Sequence, residues 1–110
     1  MKTQTSKLKG AALDWAVATI EYGGAKNVPA GFPAYSESWA QGGPIIDREM
    51  IATSRGGSYA KNFWMAFQGF SDERIYGPTP LIAAMRCYVA FKLGDEVDLP
   101  NALINEEEIK

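Results

Sequence analysis

GPTPLIAAMRCYVAFKLGDE, residues 77–96, is the segment on which the reading of the fold turns. Thr79 is a good N-cap, Pro80 suits the first helical position, and Gly94 closes the element after Leu93. Large side chains recur as Leu81, Met85 and Tyr88, while Ala83, Cys87, Ala90 and Gly94 form a small-residue stripe that lets another backbone approach closely. The segment predicts a helix that is apolar around most of its circumference. Arg86 interrupts it, and a guanidinium there must reach solvent, a carboxylate or an anionic ligand. Asp14 and Glu21 are the expected acidic partners, so a structural ion pair or a snorkelling arginine competes with a phosphate contact.

The acids lie on an earlier helix, expected from about Leu8 to Tyr22 and stopped by Gly23 and Gly24. Leu13, Val17 and Ile20 share one stripe; Ala11, Trp15, Ala18 and Tyr22 make a second on roughly the opposite side. Two helices with two apolar faces each exceed what one short chain is expected to cover. The surplus predicts a homo-oligomer, most simply a two-fold dimer, with wrapping by loops as the competing reading.

Between the helices, Glu49 to Thr53 and Asn62 to Gln68 read as strands of an antiparallel hairpin joined by the loop SRGGSYAK. Alternation puts Phe63, Met65 and Phe67 on an apolar face and Trp64, Ala66 and Gln68 on the other, which sets Trp64 outside the core. The stretch from Ala25 to Tyr35, with Pro29, Gly31 and Pro33, predicts loop or short extended pieces. In SESWAQGGPIID, Ser36 or Ser38 is expected to cap one helical turn, Gly42 and Gly43 to break it, and Pro44 to lead into Ile45 and Ile46. EVDLP adds a possible short edge strand. The expected whole is an α+β fold, two main helices on a small antiparallel sheet with long irregular loops: one domain over residues 1–100 and an acidic, mobile tail over 101–110.

Composition narrows the function classes. The chain has 110 residues, 46% hydrophobic and 22% charged, enough for one core. A net charge of -2 disfavours nucleic acid as the main partner. The apolar run Leu81–Leu93 is too short to cross a bilayer, so no membrane partner is expected. One cysteine, Cys87, cannot form an internal disulfide, and no apolar leader opens the chain; both point to a reducing cytosol. Histidine is absent, which removes the residue most used for proton transfer and metal ligation near neutral pH. Neither an enzyme, nor a cofactor, nor a metal is therefore expected. An enzyme would need paired acids such as Asp47 and Glu49 on one side of a strand, while Cys87 reads as a packed thiol and Glu106–Glu108 as a solvated run.

LKGAALDWAVA (8–18), SWAQGGPII (38–46) and YGPTPLIAAMRCYVAFKLGDEV (76–97), in this order and spacing, resemble the NinX-like family of small phage proteins. The resemblance implies a bacteriophage or prophage origin and expression in the bacterial cytoplasm. It supplies no catalytic site. Small phage accessory proteins often counter host defences, some by sequestering nucleotide signals.

The candidate ligand-binding residues are Trp39, Gln41, Gly42, Gly43, Trp64, Thr79 and Arg86. Trp39 or Trp64 offers a flat surface for a base, Arg86 a phosphate contact, and Gln41, Gly42, Gly43 and Thr79 hydrogen bonds. A non-enzymatic protein binding a small anionic, nucleotide-like molecule, and so sequestering a host defence signal, is the first expectation. The alternative is an interaction module that inhibits or modulates a host or phage protein.

Overall fold

Thr79 Oγ1 accepts a hydrogen bond from the Ile82 N–H at 3.0 Å, Pro80 opens the helix, and Gly94, at φ +91°, ends it as the sequence predicts. The computed structural model describes residues 2–56, 64–69 and 71–103. In chain order its elements are β1 (Lys2–Gln4), α1 (Gly10–Glu21), α2 (Trp39–Arg48), β2 (Ile51–Arg55), β3 (Trp64–Gln68), β4 (Ile75–Gly77), α3 (Pro80–Leu93) and β5 (Glu96–Asp98), with short 3-10 turns at Thr5–Lys7, Ala25–Asn27 and Asn101–Leu103. The fold is mixed α+β: three helices and two small antiparallel sheets.

The central element is α3, in which Leu81 and every residue from Ala83 to Val89 are buried. It is apolar all round because α1, α2 and the three-stranded sheet all pack on it. Much of the apolar surface of α3 is thus covered within one copy, while Phe91 and Leu93 near its end are exposed. On α1 the second stripe is only partly covered, with Ala18 buried, Trp15 half-buried and Tyr22 exposed.

Strands β2, β3 and β4 form the larger sheet in that order, pairing Thr53 with Ala66 and Ala66 with Ile75. The expected hairpin is there, but its faces are reversed. Ala66 and Gln68 are buried and Trp64 packs against the core, whereas Met65 and Phe67 lie half-buried on the opposite face beside Ala52 and Tyr76. The cause is how closely α3 approaches: a Cβ on Gly77, which pairs with Trp64, would stand 2.7 Å from the Ala83 nitrogen. Ala66 and Gly77 leave the room that α3 needs on the inner face, and Gln68 is tolerated there because its Nε2 donates to the Glu49 carbonyl at 3.1 Å. Phe63 and the loop positions 57–61 lie outside the described residues.

The stretch expected to be one broken turn is a continuous helix, α2, with Pro44 inside it. Gln41 and Gly42 N–H groups both donate to the Ser38 carbonyl, at 3.1 and 2.8 Å, so the turn propagates through the glycines. Pro44 forgoes one backbone bond without ending the helix. Gly42 serves packing rather than breakage, since a Cβ there would lie 2.6 Å from the Tyr35 carbonyl oxygen and 2.7 Å from Leu81 Cδ1. The strand after it starts at Ile51 rather than Glu49, following Met50 at φ +57°.

Polar side chains tie the helices together. Arg48 reaches Glu21 at 2.7 Å and Glu49 at 2.9 Å, and the Tyr88 hydroxyl donates to the same Glu21 carboxylate at 2.6 Å. Burial pushes the Glu21 carboxyl up, but the bonds from Arg48 and Tyr88 and the Arg48 charge outweigh it and hold it below the usual glutamate range. Buried Asp14 accepts from the Ser36 backbone N–H at 2.8 Å.

The EVDLP strand does not extend the hairpin. As β5 it pairs antiparallel with β1, Lys2 opposite Asp98, so the chain's polar start is half of a separate two-stranded ribbon. Of the expected tail, Asn101–Leu103 form a short 3-10 turn, and 104–110 lie outside the described residues. Among the described residues no helix is long and apolar enough to cross a membrane.

Candidate functional site

The N-termini of α2 and α3 meet at a surface groove of about 350 Å³ lined by Ser36, Glu37, Trp39, Thr79, Pro80, Leu81 and Ile82. Two of the sequence candidates, Trp39 and Thr79, come together here from positions 40 residues apart. The join is made by Gly42, whose missing side chain lets α2 sit against Leu81 and the Tyr35 backbone. Ahead of α2, the Glu37 and Ser38 N–H groups both donate to the Ala34 carbonyl, a tight turn that presents Glu37 to the groove.

Trp39 is 55% exposed although it belongs to the first turn of a helix. A tryptophan left this open at the wall of a groove forgoes burial of a large apolar surface unless something covers it. Ser38 makes no side-chain cap, so among the described residues the Trp39 and Ala40 N–H groups have no protein acceptor. At α3 the Thr79 hydroxyl holds the Ile82 N–H and the Thr79 carbonyl holds that of Ala83, while Pro80 has none, leaving Leu81 as the open donor. The wall therefore offers an aromatic face, backbone donors at two helix ends, and one carboxylate.

The other candidates stand elsewhere. Gln41 is exposed, but its backbone N–H and that of Gly42 are committed within α2, so the expected anion-cradling loop is not formed. Gly43 lies beside the tryptophan, a Cβ there reaching 4.0 Å from Trp39 Cε3. Trp64 is on the core side of the sheet with the Arg55 guanidinium 5.3 Å from its ring centroid, and does not line the groove. Arg86 is 7% exposed and binds neither Asp14 nor Glu21: its Nε donates to the Leu8 carbonyl at 2.8 Å and its Nη1 to the Tyr76 carbonyl at 3.0 Å. Burial lowers its pKa, and the groups it serves are backbone acceptors, not a ligand.

Asp47 and Glu49 do not share a strand face, because Asp47 is in α2 and Glu49 is its C-cap, bound by Arg48. Cys87 is buried and its thiol is pushed up to about 11 by burial, with Glu73 adding to the effect. Among the described residues no group of three or more His, Cys, Asp or Glu side chains is placed to hold a metal ion.

A larger depression, about 660 Å³, is lined by Lys2, Gln4, Thr5, Ser6, Ile75, Ala90, Leu93, Asp95 and Glu96. It has more room but, among the described residues, no aromatic lining, and its charges are of mixed sign. The Trp39 groove is smaller and chemically more selective, so it is the better candidate. Sequence reading missed Glu37, Ser36 and Ile82; the signal for Glu37 was its position just ahead of a helix cap, hidden while α2 was read as a single turn.

Three helices on two small antiparallel sheets, with an open aromatic groove where two helix ends meet, define a small α+β domain. The family model described as "Bacteriophage P22, NinX" matches residues 33–92, 60 of the 110, and the chain belongs to this phage family. Every groove residue falls within the matched span, whereas α1 lies outside it. No curated protein matches the chain.

Proposed function

We propose that this phage protein is a non-enzymatic accessory protein that binds a small nucleotide-like ligand in the Trp39 groove and so withdraws it from solution. In an infected bacterial cytoplasm such withdrawal would blunt a host defence signal. The observation that carries the reading is the exposed Trp39 face beside unfilled backbone donors of α2 and α3. Trp39 stacks on the base, the α2 and α3 donors and Thr79 hold polar edges, and Ile82 and Pro80 cover the apolar side. A base stacked on an aromatic side chain is stabilised by about 1–3 kcal/mol, which makes Trp39→Ala the decisive variant.

The test is calorimetric titration of wild type and Trp39→Ala with nucleosides, nucleotides and ADP-ribose, alongside melting curves. Saturable binding by wild type, weakened about 5- to 150-fold in Trp39→Ala at unchanged melting temperature, is expected. Binding by neither protein sinks the reading.

The interaction-module alternative has one observation of its own. The outer face of the larger sheet carries Met65, Phe67 and half-exposed Tyr76, with the Arg74 guanidinium 4.0 Å from the Phe67 centroid. A protein partner, or a second copy in the dimer expected from sequence, would cover that face. Light scattering with Tyr76→Glu separates these from the groove reading, which predicts no change in mass or ligand affinity.

A further inference from the structure

The groove's charge balance is unlike that of a phosphate site. Among the described residues no lysine or arginine lines it. Its positive character comes from two helix N-termini, each equivalent to about half an elementary charge. That of α3 is muted, because the Thr79 hydroxyl occupies the Ile82 N–H and Pro80 lacks one. Against these stands the full negative charge of Glu37. Behind the lining is a second carboxylate, Asp14, buried and bonded to the Ser36 backbone. The arginines that might have compensated are engaged elsewhere, Arg86 on the Leu8 and Tyr76 carbonyls and Arg48 on Glu21 and Glu49.

We infer that the groove selects uncharged nucleosides over nucleotides, with Glu37 as the selecting residue. The inference rests on the nucleotide-like reading above and narrows it: the sequence expectation of an anionic ligand gives way to a base with its sugar hydroxyls. Glu37 accepts hydrogen bonds from sugar hydroxyls or a base amine, groups that a carboxylate binds strongly and that carry no opposing charge. Each added phosphate brings negative charge beside Glu37 with no side-chain cation to meet it. Size agrees, since about 350 Å³ is near the lower end of the roughly 300–1,000 Å³ of small-molecule pockets and suits a nucleoside better than a dinucleotide.

The experiment is titration of wild type, Glu37→Gln and Trp39→Ala with adenosine, guanosine, AMP, ADP and ATP at low and at raised salt. Wild type is expected to bind a nucleoside about tenfold or more tighter than its triphosphate, with the gap narrowing as salt screens the charge. Glu37→Gln keeps the side-chain shape and lies at an exposed position, so it is expected to fold normally, bind the nucleoside less well and bind AMP better, moving their ratio about tenfold. Trp39→Ala is expected to weaken every ligand. If wild type prefers ATP, or Glu37→Gln leaves the ratio unchanged while Trp39→Ala still weakens binding, the selectivity inference is overturned and the ligand-binding reading survives. If nothing binds wild type, both fall.

Discussion

Gly42 and Gly43 are adjacent in one helix and are expected to respond to the same substitution by very different amounts. In a helix interior alanine is favoured over glycine by about 0.8–1.0 kcal/mol, a gain that Gly42 collects and that is opposed at Gly43 by the ring of Pro44 directly after it. At Gly43 the nearest atom beyond the chain neighbours and the local helix backbone is Trp39 Cε3 at 4.0 Å, an ordinary contact, so with the Pro44 ring opposing the helical gain Gly43→Ala is expected to stay within about 1 kcal/mol of wild type. At Gly42 the new Cβ would stand 2.6 Å from the Tyr35 carbonyl oxygen, and a backbone atom does not move aside as a side-chain tip does. Overpacking of this kind costs typically 1–3 kcal/mol and here, with Leu81 Cδ1 also overlapped at 2.7 Å, belongs at the upper end. Subtracting the helical gain leaves Gly42→Ala destabilised by about 2 kcal/mol. At about 4–8 °C per kcal/mol for a small domain, that is a melting temperature lowered by about 8–16 °C, against a change of no more than about 4–8 °C for Gly43→Ala. Calorimetry and urea midpoints on the two variants measure both. A Gly42→Ala protein as stable as wild type would refute the close seating of α2 on α3, and with it the groove that this seating forms.

Arg86→Met keeps the apolar stem but leaves the Leu8 and Tyr76 carbonyls without their donor, a loss of about 2–4 kcal/mol by urea titration, with ligand affinity of the folded protein unchanged; lost binding at retained stability would instead make Arg86 a ligand contact. Asp14 and Glu21 give pH dependences of opposite sign. Burial raises the Asp14 pKa, bonds from Ser36 opposing it, so the native state holds that proton to higher pH than the unfolded chain does, and stability falls as pH rises through this window. Asp14→Asn is expected to remove that component from unfolding free energies measured between pH ~3 and ~7. Glu21, held low, contributes stability that is present above the ordinary glutamate pKa and lost as pH falls through its folded value; Glu21→Gln is expected to be about 1 kcal/mol or less below wild type near neutrality, the partners being partly exposed, and to converge with it in acid. Met50, exposed and at φ +57°, is a left-handed position that glycine fills without strain, so Met50→Gly is expected to raise stability by about 1 kcal/mol in the same melts.

What the sequence made legible was what local chemistry decides. Thr79, Pro80 and Gly94 bound α3 because cap and backbone preferences act within a few residues, and Gly23, at φ +80°, ends α1 for the same reason. The reversed face of β3 was not legible, because side-chain size alone assigns Phe67 inward and only the tight approach of α3 at Gly77 assigns Ala66 there instead. Gly42 misled for a related reason: a glycine demanded by the Tyr35 backbone and by Leu81 of another helix looks, in one dimension, like one that breaks a helix. Trp39 and Thr79 were found as separate features, yet nothing local reveals that they share a groove, and Arg86 was sent to carboxylates because backbone carbonyls are invisible as partners in a sequence.

The ribbon of β1 and β5 has a consequence for how the protein is made. Lys2 pairs opposite Asp98, so β1 must wait for the last described strand before it can pair. Loops that long close slowly, and their contacts form late in folding. The Leu8 carbonyl, held by Arg86, sits between these events as a staple on the same N-terminal segment. A nascent chain on the ribosome therefore carries β1 unpaired until β5 has emerged, and a truncation just after α3 leaves β1 without that partner strand.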